Sequence, residues 1–266
     1  RTMGAVAATG QPDSAIQKDF GPMLPGFSYA EYNNLEDFAS KVTPNTIGIM
    51  IEPVQGEGGV HPATQEFIEG LRKLCDEKDI VLMFDEVQTG WGRTGAPMAY
   101  IGYGIKPDIV SMAKAMGGGM PIAACCTTKE IAEAFGSGTH GSTYGGHPVA
   151  CAAALASISE ILDKDLSGNA KVVGEYMVEQ MAKLPHVKEA RGRGLLVGCE
   201  YDLPIALEVK WGCMRRHALI TAIGSSVNRM IPPLIATKED VDKLMGIMEE
   251  SINEAVEKYQ KLTKAA

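Results

Sequence analysis

The chain has 266 residues, 45% of them hydrophobic and 22% charged, enough apolar side chains for a sizeable core in one or two domains. A net charge of -8 excludes the general nucleic-acid affinity of a basic surface, while leaving room for a small anionic ligand held by a few local groups. The apolar stretches fall well short of the roughly 20 residues that span a bilayer, and no signal peptide is visible, so no membrane partner is expected.

The first forty or so residues read as irregular, with turn signals at Gly10-Gln11-Pro12, Gly21-Pro22 and Pro25-Gly26. A short helix is expected from Asn34 to Val42, a buried strand over 46–51, and a helix from about Ala63 to Lys78 with Phe67, Ile68, Leu71 and Leu74 on one face. Further buried strands are expected over 80–84, 108–112 and 122–127. A long Ala-rich helix, 148–162, opens with Pro148 in its first turn, and the polar Lys164–Asn169 stretch reads as a boundary. Beyond it a helix to about Leu184 precedes strands at 187–190 and 195–201, a helix at 205–217, and strands at 219–222 and 229–231. Thr237 with Asp240 forms an approximate capping box for the last helix, about 238–262. Short apolar strands alternating with helices indicate an α/β fold with a mostly parallel sheet over residues 1–165, followed by a small α+β domain over 166–266.

Cys75, Cys125, Cys126, Cys151, Cys199 and Cys213 form no C-x-x-C pair and are expected as free thiols in a reduced, cytoplasmic core. The Cys125-Cys126 pair is expected on a buried strand. Gly192–Gly198 has the wrong spacing for a dinucleotide loop and leads into a strand. His140 and His147 lack an acid or Cys at ligand spacing, so no metal is expected.

Working residues in open α/β sheets gather at the carboxyl ends of the strands. Asp85 directly follows one buried strand, and Lys114 lies just past another, between small apolar residues and Gly117-Gly118-Gly119. Desolvation there would lower the lysine pKa, as an amine nucleophile requires. Pyridoxal phosphate (PLP) chemistry calls for this pair: a lysine to hold the aldehyde as an imine and an acid to keep the pyridine nitrogen protonated. Taken singly, Lys114 fits a solvated lysine at a helix start better than a nucleophile, and Asp85 fits a helix N-cap equally well.

Glu52–Gly59, Phe84–Gly95, Pro107–Val110 leading to Lys114–Gly119, and His140–Pro148 together resemble the class III PLP-dependent aminotransferases, in order and in spacing. The resemblance runs from Arg1 to the last helix. Arg1–Ala5, Tyr32–Glu36 and Gly138–Gly146 are most similar to the branch of that family that acts on N-acetylornithine. It implies PLP-dependent transferase fold type I, a cytoplasmic homodimer with shared active sites, and a role in arginine biosynthesis. The implied reaction moves the terminal amino group of N-acetylornithine to 2-oxoglutarate, ping-pong through a pyridoxamine form. Ornithine, 4-aminobutyrate or succinylornithine are the alternative donors within the family. Outside that reading stand an inactive fragment or structural subunit unable to hold PLP and, more distantly, a Schiff-base aldolase, which would have no use for Asp85 and Gln88.

Residue by residue, the resemblance makes Lys114 the Schiff-base lysine and Asp85 the partner of the pyridine nitrogen. Gln88, in the Val87-Gln88 pair beside the ring, bonds the ring oxygen next to the imine. Thr143, with Ser142, serves the cofactor phosphate of the neighbouring subunit. Arg229 grips the α-carboxylate of glutamate through a bidentate pair, and Glu57 neutralises Arg229 when the other donor is present. Arg1 matches the family's second carboxylate-binding arginine. Because the chain opens at Arg1 without an initiator Met, the family's N-terminal portion is expected to be absent, with part of the phosphate cradle and the aromatic that stacks on the ring.

Overall fold

A computed structural model describes residues 2–10 and 16–265. Helix α1 (Met3–Ala8) forms where irregular chain was expected, with Val6 and Ala7 buried. Helix α2 (Leu35–Lys41) starts where Asn34 accepts the Asp37 N–H at 3.0 Å. Strand β1 (Gly48–Ile51) leads into a small hairpin, β2 (Val54–Gln55) with β3 (His61–Pro62), that short spacing had hidden.

Helix α3 (Gln65–Lys78) is capped by Thr64, whose hydroxyl accepts from Phe67 N at 3.1 Å, and ends at Asp79 in the left-handed region. Its buried stripe, Phe67, Ile68, Leu71 and Cys75, repeats at helical spacing and packs on Ile49, Ile51, Leu82 and Phe84 of the sheet. Strand β4 (Val81–Asp85), the short helix α4 (Ala99–Gly102), strand β5 (Ile109–Met112), a 3₁₀ turn (Lys114–Gly117) and strand β6 (Ala124–Thr127) follow. The sheet order is β1-β4-β5-β6, with β1, β4 and β5 parallel and β6 antiparallel. This is the expected mostly parallel α/β sheet. Cys125 and Cys126 do lie on a strand, but β6 is outermost and both thiols are exposed, contrary to the expected burial. Their apolar neighbours in sequence carried no information about which strand would form the sheet edge.

After helix α5 (Lys129–Ala132) comes α6 (Pro148–Asp163). Only Lys164 and Asp165 separate α6 from α7 (Leu166–Met181), and Asp165 caps α7 by accepting from Gly168 N at 3.1 Å. Strands β7 (Val187–Arg193) and β8 (Leu196–Tyr201), helix α8 (Ala206–Arg215), strands β9 (Thr221–Ile223) and β10 (Val227–Met230), and helix α9 (Lys238–Ala265) complete the chain. The Thr237–Asp240 capping box is reciprocal, Asp240 N donating to Thr237 Oγ1 at 3.2 Å and Thr237 N to Asp240 Oδ2 at 3.1 Å.

The second sheet, β7-β8-β10-β9, is entirely antiparallel. Strand alternation sends Leu195, Val197, Cys199 and Tyr201 into a core with Met177, Met248 and Ile252 of the helices. The opposite face presents Leu196, which is buried with Val54 and Val60 of the hairpin region. Arg93 secures the same junction: its guanidinium donates to the carbonyls of Leu195 (3.1 Å) and Pro232 (2.6 Å), and burial pushes its pKa down to about 10.

Candidate active site

Three parallel strands end along one edge of the first sheet, which brings Glu52, Asp85 and Lys114 to adjacent strand ends. Asp85 is the last residue of β4. Its Oδ1 accepts from Val87 N at 2.9 Å and from Ser111 Oγ at 3.2 Å, Ser111 being its register partner on β5. These two donors fix the orientation of the Asp85 side chain, and among the described residues no donor reaches Oδ2.

Lys114 opens the 3₁₀ turn with φ 46°, the left-handed region that a non-glycine residue enters only when its surroundings fix it. Behind it Ser157 of α6 donates to the Ala115 carbonyl at 3.1 Å, tying the turn to that helix. A Cβ on Gly117 would stand 2.8 Å from Ile122 Cγ2, so glycine lets the turn close on the chain that follows. Lys114 is exposed, yet partial desolvation holds its ammonium below the ordinary lysine range; Glu52, Glu57 and Asp85 oppose that shift, and Arg229 adds to it.

The remaining contacts cross between the two sheets. Arg229 Nη1 donates to Glu57 Oε1 at 2.7 Å and to Gln88 Oε1 at 3.1 Å, while Gln88 Nε2 reaches the same Glu57 oxygen at 3.5 Å. Burial pushes the Glu57 carboxyl up, but its hydrogen bond and ion pair with Arg229 prevail and hold it below the ordinary range. Arg229 is 8% exposed, and its Nε is buried without a hydrogen-bond partner among the described residues. Gly56 makes room for this cluster, since a Cβ there would lie 2.4 Å from Gln88 Oε1. Glu52 caps the same loop by accepting from Gly56 N at 3.2 Å, and burial raises its carboxyl pKa.

Thus Asp85, Val87, Gln88, Glu57 and Arg229 come together beside Lys114. Ser142 and Thr143 do not join them: both are exposed on the loop between α5 and α6. Arg1 lies outside the described residues. A cavity of about 540 Å³ lined by Thr94, Gly102, Lys171, Glu175 and Arg193 includes none of the site residues. No described helix is long and apolar enough to cross a membrane.

Sequence reasoning passed over Glu86. It is fully buried and accepts from Thr89 Oγ1 (2.8 Å), Ala99 N (2.9 Å) and Tyr100 N (2.8 Å), anchoring the loop after Asp85 to the start of α4. An acid directly following a buried strand and a second acid was the available signal.

A model of the family described as aminotransferase class III matches residues 1–252. The chain belongs to the class III aminotransferases. It is 42% identical over 258 residues to the acetylornithine aminotransferase of Caldanaerobacter subterraneus subsp. tengcongensis, covering 96% of this chain and 65% of that protein. It is also 42% identical over 248 residues to the succinylornithine transaminase of Yersinia enterocolitica, covering 91% of this chain and 59% of that protein. Among solved structures, ornithine aminotransferase from Toxoplasma gondii, described with partial occupancy of PLP at its active site, aligns with a TM-score of 0.90 and 31% identity, over 98% of this chain and 63% of that one. The chain therefore spans slightly less than two thirds of the length of these relatives. The family's cofactor is pyridoxal 5'-phosphate. The donor set fits it: a partly desolvated amine at Lys114 and an oriented carboxylate at Asp85 stand on neighbouring strand ends.

Proposed function

We propose that this chain carries the catalytic groups of an aminotransferase that moves the terminal amino group of N-acetylornithine, or a similar ω-amino donor, to 2-oxoglutarate in two half-reactions. The observation that carries this reading is the convergence of Asp85 and Lys114 with the Arg229–Glu57 pair. When bound, pyridoxal phosphate supplies an aldehyde that condenses with amines and a ring that accepts electrons from the substrate carbon.

The chain's own residues do the rest. The lowered pKa of Lys114 gives it more neutral amine near neutral pH than a solvated lysine has, suited to taking a proton from the substrate carbon and returning one. Asp85 holds a proton at the ring nitrogen, steadied by Ser111 and Val87 N. Gln88 donates to the ring oxygen beside the aldehyde carbon. Arg229 binds the α-carboxylate of glutamate once Glu57 withdraws, and the pair re-forms when a donor enters with its amino end first. Arg1 takes the second carboxylate. Ser142 and Thr143, exposed here, serve the cofactor phosphate in a second copy of the chain, which makes a homodimer part of the site. Residues 1–165 form the cofactor-binding domain and 166–266 the small domain. The setting is arginine biosynthesis in the cytoplasm.

The similarity to succinylornithine and ornithine enzymes keeps those donors as a second reading. The test is glutamate formation from 2-oxoglutarate with PLP and each donor in turn, N-acetylornithine, succinylornithine, ornithine and 4-aminobutyrate. The proposal expects N-acetylornithine to have the highest kcat/KM, with activity lost in Lys114→Ala. A higher value for another donor replaces the donor assignment. No glutamate from any of them overturns the proposal for this chain.

A further inference from the structure

One rung of the second sheet carries an arrangement that the transfer chemistry does not use directly. Gly198 on β8 is the register partner of Arg191 on β7 and of Arg229 on β10. Directly opposed residues on neighbouring strands share a face, so the two arginines flank a glycine notch. The Gly56–Val60 loop, which carries Glu57, lies across that notch. A Cβ on Gly198 would stand 2.9 Å from Val60 Cβ and 3.1 Å from the Gly59 carbonyl oxygen.

The loop is held at both ends, in different ways. At one end Arg229 pairs with Glu57, a half-exposed carboxylate. At the other, Arg191 donates from Nε to the Val60 carbonyl at 3.0 Å and from Nη2 to the Gly59 carbonyl at 2.9 Å. The charge of Arg191 is already matched, its Nη1 lying 2.6 Å from Glu200 and 2.8 Å from Glu189, so a substrate carboxylate has little call on it. Val60 is fully buried at φ 59°, and a β-branched residue stays in that region only when its surroundings dictate it. Gly59, at φ 115°, adopts a backbone conformation closed to other side chains.

We propose that Arg191 is a positioning residue: it clamps Gly59 and Val60 over Gly198, so that Glu57 can leave and rejoin Arg229 while the loop itself stays in place. The clamp deepens the donor switch proposed above and rests on that reading for its consequence, though not for its geometry. Without it the loop lifts, Arg229 stays unmasked, and ω-amino donors lose the neutral pocket that receives their amino end.

Two readouts test this on the full chain, in Arg191→Lys, which keeps the charge but loses the fork, and in Gly198→Ala, which crowds Val60 while leaving Arg191 intact. The first is hydrogen exchange of the amides of residues 57–60 without cofactor, expected to speed up at least about tenfold in both variants while exchange in β4 and β5 is unchanged. The second is the split between half-reactions with PLP: kcat/KM for the ω-amino donor is expected to fall about tenfold or more, with the glutamate half-reaction within about twofold of the parent. Equal losses in both half-reactions, or unchanged exchange at residues 57–60, overturn the proposal. If exchange speeds up but the parent transfers no amino group, the clamp stands and the transferase reading fails.

Discussion

Glu57 and Arg229 lie 172 positions apart in the chain and meet at 2.7 Å across the junction of the two sheets, with Gln88 bonded to both. On the proposed reading, the pair masks a carboxylate-binding guanidinium with a carboxylate on a glycine-rich loop. Replacing Glu57→Gln removes the charge and leaves an amide of similar size. The expected result is a fall of roughly tenfold in kcat/KM for the ω-amino donor, with the glutamate half-reaction equal or faster. Single-turnover kinetics of each half-reaction measure this, and a uniform loss contradicts the masking role.

Lys114 is reachable by solvent, yet its ammonium is destabilised by partial desolvation. Below the ordinary lysine range it therefore carries a larger neutral fraction than a free lysine side chain does. Reductive alkylation by a small aldehyde near pH 7–8, mapped by peptide mass spectrometry, is expected to modify Lys114 ahead of an added model lysine peptide. The preference should fade as the pH approaches the ordinary lysine value. Equal labelling at all pH values contradicts a lowered pKa.

Glu86 supports the site from behind. Truncation to Ala strands two buried N–H groups and a hydroxyl, and should cost about 3–5 kcal/mol in urea unfolding. Its folded-state pKa is raised, chiefly by burial, with the donated hydrogen bonds opposing and Asp85 adding to the shift. The folded chain therefore binds this proton at a higher pH than the unfolded chain does. The associated stability is fully present below the unfolded value of 4.5 and is lost as pH rises through the raised folded value. Glu86→Gln cannot ionise, so its stability relative to the parent should improve as pH rises above 4.5 and level off once the folded-state carboxyl has ionised. A difference that moves the other way contradicts the raised value.

Gly56 is the tightest steric point in the cluster. Gly56→Ala would press on the Gln88 amide, the movable end of a flexible side chain. The fold should therefore survive with a loss within about 1–2 kcal/mol, while Gln88 leaves Arg229. Thermal unfolding together with glutamate KM checks this, KM rising while unfolding shifts little.

The strands of the first sheet were legible as short apolar runs, two of them followed by candidate site residues, Asp85 after 81–84 and Lys114 after 109–112. Helix α3 was legible from its Phe67, Ile68, Leu71 and Leu74 face, α6 from Pro148 and α9 from the Thr237–Asp240 box. Burial of Cys125 and Cys126 was misjudged because apolar composition does not tell a central strand from an edge. The two-residue strands β2 and β3 are too short to show a period. Arg191 and Gly198 could not be read as site neighbours at all. Their role depends on the rung that pairs β7, β8 and β10, a register set by tertiary packing. The Glu57–Arg229 contact was expected from family resemblance alone, since nothing local in either segment points to the other.

The most direct test of the central claim is the absorbance spectrum of the purified chain with added PLP, compared with Lys114→Ala. The account predicts a band at the violet edge of the visible that requires Lys114 and bleaches when glutamate is added. A spectrum identical to free PLP, or a band that persists in Lys114→Ala, would contradict it.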